Sequence, residues 1–286
     1  MAALRLRGVH IHPYLDDLLL RVGSPCQLQE SINITLDLLQ TAGYVINLKK
    51  SDLQPSQDLV FIGGRLRTDI GMVFLPQDRI GTLLSLVSHF KVGRYFSLRM
   101  WLRLLGVMAA TIQVVQLARL YMRPFQFYII PFWTQPPLLD KNIIVPFHLA
   151  KFLSWWSNPR NLSQGIPLSP PDFVHVVTTD ASGDGWGGVL DHVHTVKGLW
   201  QVHQKVWHIN RLEMLAVFLT LKHFHLHLIN KVVLIRTDNS TTCHYINKSG
   251  GTKSRELCSQ SGDLLHWYLQ KGIKIRAVHV PGLRNN

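Results

Sequence analysis

Two stretches of this chain end alike. Val176-Val177-Thr178-Thr179-Asp180 and Leu234-Ile235-Arg236-Thr237-Asp238 are each a short apolar run that closes on an acid. Runs of this length, rich in β-branched residues, predict buried strands, and an acid at the carboxyl end of a strand lies where sites in open α/β sheets collect. If the two strands are parallel neighbours, the two acids face one another. Carboxylates held that close repel, and a bound cation is the usual remedy. Taken singly, an aspartate after a strand also serves as a turn or helix-capping residue.

The flanking pattern predicts a mixed five-stranded sheet with crossover helices, an α/β layer arrangement. Phe173 to Thr179 and Val232 to Thr237 are the buried strands. Gly187 to Leu190 and Val196 to Trp200 form antiparallel returns, and Ile273 to Val280 is the last strand. A helix is predicted over Leu212 to Leu228, with further helices starting near Ser240 and Ser254. A third acid, Glu213, falls in the first turn of the first helix, beside the apolar face made by Leu212, Leu215, Ala216 and Leu219. It has a structural alternative, because Asn210 as N-cap with Glu213 three positions on makes a capping-box pair. Asp184 lies among the glycines of Gly183-Asp184-Gly185-Trp186-Gly187-Gly188 and reads as a turn residue. The glycines allow a tight hairpin and close backbone approach.

Upstream the pattern differs. A hairpin is predicted from Val9 to Leu20, turning through Pro13-Tyr14-Leu15-Asp16-Asp17. Its adjacent acids, Asp16 and Asp17, are either solvated or hold a cation. Helices are expected from Gln27 to Ala42, closed by Gly43, from Gln77 to His89, and from Leu98 to Leu120. Pro124, Pro131, Pro136, Pro137, Pro146, Pro159, Pro167, Pro170 and Pro171 crowd one stretch, where regular helices are not expected to run far. Its aromatics (Phe125, Phe127, Tyr128, Phe132 and Trp133) predict that it packs down as an irregular connection.

Composition narrows the partners. Hydrophobic residues make up 47% and charged residues 16%, which supports a sizeable core and argues against disorder. Lys and Arg outnumber Asp and Glu by 30 to 17, a formal charge of +13 that favours a polyanion such as nucleic acid. The 3 cysteines (Cys26, Cys243 and Cys258) form no close pair, which argues against a disulfide framework or zinc cluster and suits a reducing compartment. Met1 to His10 holds no apolar run long enough for a signal peptide. The apolar segment Leu104 to Leu120 is broken by Gln113, Gln116 and Arg119, so no membrane span is expected. An intracellular location, cytoplasm or nucleus, follows as an expectation, with Lys49-Lys50 too short for a nuclear address.

Thr179-Asp180-Ala181-Ser182 with Gly185-Trp186-Gly187 resembles the first ribonuclease H motif. Leu212-Glu213-Met214-Leu215-Ala216 resembles the second, Thr237-Asp238-Asn239-Ser240 the third, and His279-Val280-Pro281-Gly282 with Asn285 the start of the fourth. Tyr14-Leu15-Asp16-Asp17 resembles the reverse transcriptase palm hairpin. Gly43-Tyr44-Val45-Ile46-Asn47 with Lys49, Lys50 and Ser51, then Phe61-Ile62-Gly63-Gly64, resemble the next two palm motifs. The helices up to Leu120 resemble a thumb. The wording, with Gly250-Gly251-Thr252-Lys253-Ser254, is most similar to DIRS-like retrotransposon reverse transcriptase–ribonuclease H.

The resemblance divides the chain into a palm remnant (1–64), a helical thumb-like region (65–123), a proline-rich connection (124–171) and a ribonuclease H-like domain (172–286). It implies hydrolysis of the RNA strand of an RNA–DNA hybrid with Mg2+, or Mn2+ in its place. One ion would activate the attacking water and the other stabilise the leaving oxygen. Asp180 would bridge the ions, Glu213 and Asp238 would each hold one, and His279 would assist product release or proton transfer. His279 also reads as a plain surface residue at a strand end. The family's fourth motif continues to a further acid that is not in this sequence, so weak or lost cleavage is expected, with a catalytically dead nucleic-acid-binding remnant as the alternative. Asp16 and Asp17 are expected to be orphaned polymerase ligands, because the remaining palm and fingers would come from an upstream polymerase part.

Overall fold

The strands anticipated around Asp180 and Asp238 pair as one mixed sheet in the computed structural model, which describes residues 1–133, 138–169 and 172–281. Pro136, Pro137, Pro170, Pro171, Gly282, Asn285 and Asn286 lie outside the described residues. The chain divides into two units, Met1–Pro76 and Gln77–Asn286.

The second unit holds the sheet. Its strands are β1 (His175–Ala181), β2 (Gly185–Leu190), β3 (His194–Leu199), β4 (Val232–Thr237) and β5 (Lys274–His279), in the order β3-β2-β1-β4-β5. The first three form an antiparallel meander, while β4 runs parallel to both β1 and β5. Three helices cross between strands: α1 (Ile209–His223), α2 (Ser240–Asn247) and α3 (Arg255–Gln270). The result is an α+β fold with a mixed five-stranded sheet and ribonuclease H-like topology.

A shared core binds helices to sheet. Val177, Leu190, Val233 and Ile235 from the strands meet Met214, Val217, Leu221, Leu257 and Leu264 from α1 and α3. Each such side chain contributes roughly 1.5–3 kcal/mol on leaving water. At Gly188 helix and strand come so close that a Cβ would overlap the Thr220 side chain. At the sheet edge, the Asn247 amide donates to the Ala277 carbonyl at 2.7 Å and accepts its N–H at 2.9 Å, which occupies backbone groups that would otherwise template another strand.

The expected helix from Leu98 to Leu120 is two helices, Leu98–Ala109 and Ala118–Ile129. Between them Thr111 is buried and donates its hydroxyl to the Met108 carbonyl at 2.7 Å, and Leu117 takes a left-handed φ of 65°. The second helix runs through Pro124, against the expectation that helices stop there. Proline costs ~3 kcal/mol in a helix interior. Here Ala118, Met122, Phe125 and Ile129 bury one continuous face, and that burial offsets the lost hydrogen bond. The helix also packs on α3, with the Tyr121 hydroxyl 3.1 Å from His266 Nε2, and on the segment before it, where Arg123 donates to the Gly250 carbonyl at 3.1 Å. Further on, Pro159 opens a short helix (Pro159–Ser163) capped by Asn158, a position where its missing N–H is harmless.

The first unit contains the expected hairpin, Ile11–Tyr14 against Asp17–Leu20, with Tyr14 opposite Asp17. The predicted helix runs from Pro25 to Thr41, capped by Ser24 and followed by Gly43 at φ 81°. Leu4, Val9 and Ile11 form its small core, against which Leu18, Leu20, Ile34 and Leu38 pack. A three-strand meander (Asp58–Phe61, Gly64–Arg67, Met72–Phe74) follows. Among the described residues no helix is long and apolar enough to cross a membrane.

Candidate metal centre

Three elements each deliver one acid. Asp180 is the next-to-last residue of β1, paired across the antiparallel ladder with Gly187. Asp238 follows the last residue of β4, the parallel neighbour of β1, so the condition posed by the sequence is met and the two acids stand at the same end of adjacent strands. Glu213 projects from the first turns of α1 and is only 3% exposed. One ligand oxygen from each of the three lies within 4.8 Å of the others.

Glu213 is not a capping-box residue. His208, not Asn210, caps α1, accepting the Asn210 N–H at 3.2 Å, so the helix starts before Asn210 and carries Glu213 past the capping position. Its carboxyl is buried among acids instead. Desolvation pushes it up to about 8, and the Asp238 and Asp180 carboxylates push the same way. Hydrogen bonding from the Ala181 N–H and the Thr237 hydroxyl opposes the shift only in part. Its Oε2 has no hydrogen-bond partner among the described residues.

A divalent cation fits this arrangement. The donors are all carboxylate oxygens, the hard ligands preferred by Mg2+ and Mn2+, and the group includes no thiolate or imidazole. A cation would also occupy the unsatisfied oxygen and relieve the mutual repulsion. The acidic triad is therefore compatible with a divalent-metal site.

The remaining predicted residues fall elsewhere. His279 ends β5, opposite Thr237 in the parallel register, where it is exposed and outside the three-acid group. Asp16 and Asp17 are exposed at the hairpin, and among the described residues no third metal-ligating side chain joins them. Asp184 is an exposed turn residue, as expected, with Lys205 Nζ at 3.4 Å. Cys26, Cys243 and Cys258 are free thiols.

Beside Asp180 the surface forms an open groove lined by Ser182, Gly185, Trp186, Lys197 and Leu199. The Arg211 guanidinium stacks on Trp207 at 3.9 Å. Two asparagines, Asn210 and Asn239, form a pair that no local sequence pattern connects. Asn239 follows Asp238 directly, and its amide donates to Asn210 Oδ1 at 2.8 Å. A strand ending in Asp-Asn-Ser carries a helix-cap signal for Asn239. Its partner lies 29 positions away, beyond any local pattern.

With the geometry in place, comparison with known proteins gives a consistent picture. Residues 172–270 match the family model described as an RNase H-like domain found in reverse transcriptase. The chain is 35% identical over 85 residues to the enzymatic polyprotein of carnation etched ring virus, covering 27% of this chain and 13% of that one. A longer alignment, 23% identical over 256 residues, covers 85% of this chain and 37% of the putative enzymatic polyprotein of cassava vein mosaic virus. The solved foamy viral protease-reverse transcriptase in complex with RNA/DNA hybrid aligns with a TM-score of 0.50 at 14% identity, covering 100% of this chain and 38% of that one, a likeness of fold. The chain thus spans less than two fifths of each of these relatives. It carries an RNase H-like domain of the kind found in reverse transcriptase, with a candidate acidic metal-binding triad, and is similar to part of viral enzymatic polyproteins.

Proposed function

We propose that this chain is a divalent-metal-dependent ribonuclease H that cleaves the RNA strand of RNA–DNA hybrids, and that it comes from a DIRS-like retroelement. The observation that carries the activity is the meeting of Asp180, Glu213 and Asp238, from three separate elements, within 4.8 Å. The element wording of Gly250-Gly251-Thr252-Lys253-Ser254 supports the DIRS-like assignment.

Bound Mg2+, or Mn2+ in its place, would supply charge neutralisation at the scissile phosphate and a lowered pKa for bound water. The residues do the rest. Asp180, exposed at the strand end, is open to ligand from the groove side, while buried Glu213 sets the floor of the site. Asp238 completes the donor set from the neighbouring strand. Lys197, Lys205 and the other cations behind the net charge of +13 attract the phosphate backbone, and the hybrid is held by shape rather than by base sequence. His279, at the same end of the sheet, is suited to moving a proton as product leaves. The share of the relatives that is matched supports a role beside a polymerase part in a longer polyprotein.

A second reading, binding without cleavage, is favoured by the strong basic charge alone. Purified protein with an RNA–DNA hybrid labelled on either strand separates the two. Magnesium-dependent loss of the RNA strand only, absent in Asp180→Asn, supports the nuclease. Hybrid retained intact by bound protein in both Mg2+ and Mn2+ supports the binding remnant.

A further inference from the structure

Glu213 and Asp238 belong to different elements, yet their carboxylates sit close enough to share one ion. The two acids stand on separate elements, so their fit to one ion depends on how the start of α1 is set against the end of β4. A restraint that joins those two ends would fix the separation of the acids.

The Asn210–Asn239 pair stands where such a restraint is needed. Asn210 precedes Glu213 by three residues on α1, which places it on the same side of the helix one turn back. Asn239 is the residue after Asp238 and is itself fixed twice: its N–H donates to Thr237 Oγ1 at 3.1 Å, and its Oδ1 accepts the Thr242 N–H at 2.9 Å to cap α2. The other end of the same amide, Nδ2, donates to Asn210 Oδ1 at 2.8 Å. One side chain therefore joins the acid-bearing turn of β4 to the acid-bearing turn of α1. Both asparagines are partly buried, where an amide hydrogen bond is less exposed to competition from water.

We propose that the Asn210–Asn239 hydrogen bond is a clamp that sets the separation of Glu213 and Asp238, making both asparagines positioning residues of the metal centre. The proposal rests on the reading of the three acids as a divalent-cation site. A plain helix cap needs only an accepting oxygen at position 239, which serine supplies as well as asparagine. The clamp additionally needs the amide nitrogen, which neither serine nor aspartate has.

Mn2+ binding followed by electron paramagnetic resonance tests this on the full chain. Asn239→Ser keeps the cap and loses the clamp, whereas Asn210→Ala loses the clamp and leaves the cap untouched. Each is expected to weaken Mn2+ binding about tenfold, the usual scale for groups that orient metal ligands. The double variant is expected to be no weaker than either single one, because both remove the same interaction. Asn210→Asp, which retains the accepting oxygen, is expected to bind no more weakly than the wild type. In cleavage assays the half-saturating metal concentration rises for Asn210→Ala, while the KM for hybrid at saturating metal stays put. Wild-type affinity in both single variants, additive losses, or a raised hybrid KM with unchanged Mn2+ affinity would each overturn the clamp. If Asn239→Ser does not fold, Asn210→Ala and Asn210→Asp decide the matter alone. Absence of Mn2+ binding in the wild type removes the metal reading itself and the clamp with it. Tight wild-type binding with indifferent variants removes the clamp only.

Discussion

Trp200 donates its indole N–H to the Ser182 carbonyl at 2.7 Å, which ties the residue after β3 to the turn that follows Asp180. Trp200 is nearly buried and packs with Leu212 and Ala216 of α1, so the turn after Asp180 is anchored to the helix that carries Glu213. Replacing Trp200 with Phe keeps most of the apolar contact and removes the hydrogen bond. A loss of about 1 kcal/mol in stability is expected, with a larger proportional loss of metal affinity. Urea denaturation and metal titration of the same variant measure the two effects. An unchanged metal affinity would show that the anchor matters only to the fold.

Gly188 tests the packing of helix on sheet. A methyl group there meets the Thr220 side chain, and overpacking of this kind costs roughly 1–3 kcal/mol. Gly188→Ala is expected to lower the urea midpoint, and adding Thr220→Ala is expected to recover part of the loss. If the double variant is as unstable as the single one, Thr220 is not the obstructing group.

The two stretches that ended in acids gave the sheet its legible part. Val232–Thr237 and Gln77–His89 lie where the pattern predicted, and the parallel pairing of β1 with β4, left as a condition by the sequence, is met in the fold. What escaped the sequence is contact at long range. The buried face through Phe125 and Ile129 overrides the proline at 124 because packing outweighs local propensity. The cap of α1 is His208, whose ring nitrogen accepts the Asn210 N–H, rather than Asn210. Asn210 was thereby freed to face Asn239, a contact invisible to any window of neighbouring residues. His279 was visible as a residue type at a strand end, but its place opposite Thr237 and outside the three-acid group is a property of the folded sheet.

Stability of the metal-free protein should depend on pH through Glu213. Its carboxyl is raised from an ordinary 4.5 to about 8, so between these values the folded state holds a proton that the unfolded state has released. More protons on the folded side means that stability falls as pH rises through this window. Denaturation midpoints in the presence of a chelator are expected to decline from the lower to the upper bound, and Glu213→Gln is expected to flatten the decline. With Mg2+ the slope should weaken or reverse, because the cation takes the place of the proton. A flat profile for the chelated wild type contradicts the buried, acid-crowded environment assigned to Glu213.

The sheet edge at β5 offers an independent check. Asn247→Ala removes both hydrogen bonds to Ala277 and leaves its backbone groups unpaired. A loss of about 1–3 kcal/mol is expected, together with a greater tendency to self-associate through the bared edge. Light scattering and chemical denaturation of the variant report the two effects. A variant as stable and as monodisperse as the wild type shows that the edge needs no guard.

The claim that Asp180, Glu213 and Asp238 act together as one divalent-cation centre is tested most directly by calorimetric titration of the full chain with Mg2+, beside Asp180→Asn and Asp238→Asn. The predicted result is saturable binding by the wild type that drops at least about tenfold in each variant. Equal binding by all three proteins, or no binding by the wild type, would contradict it.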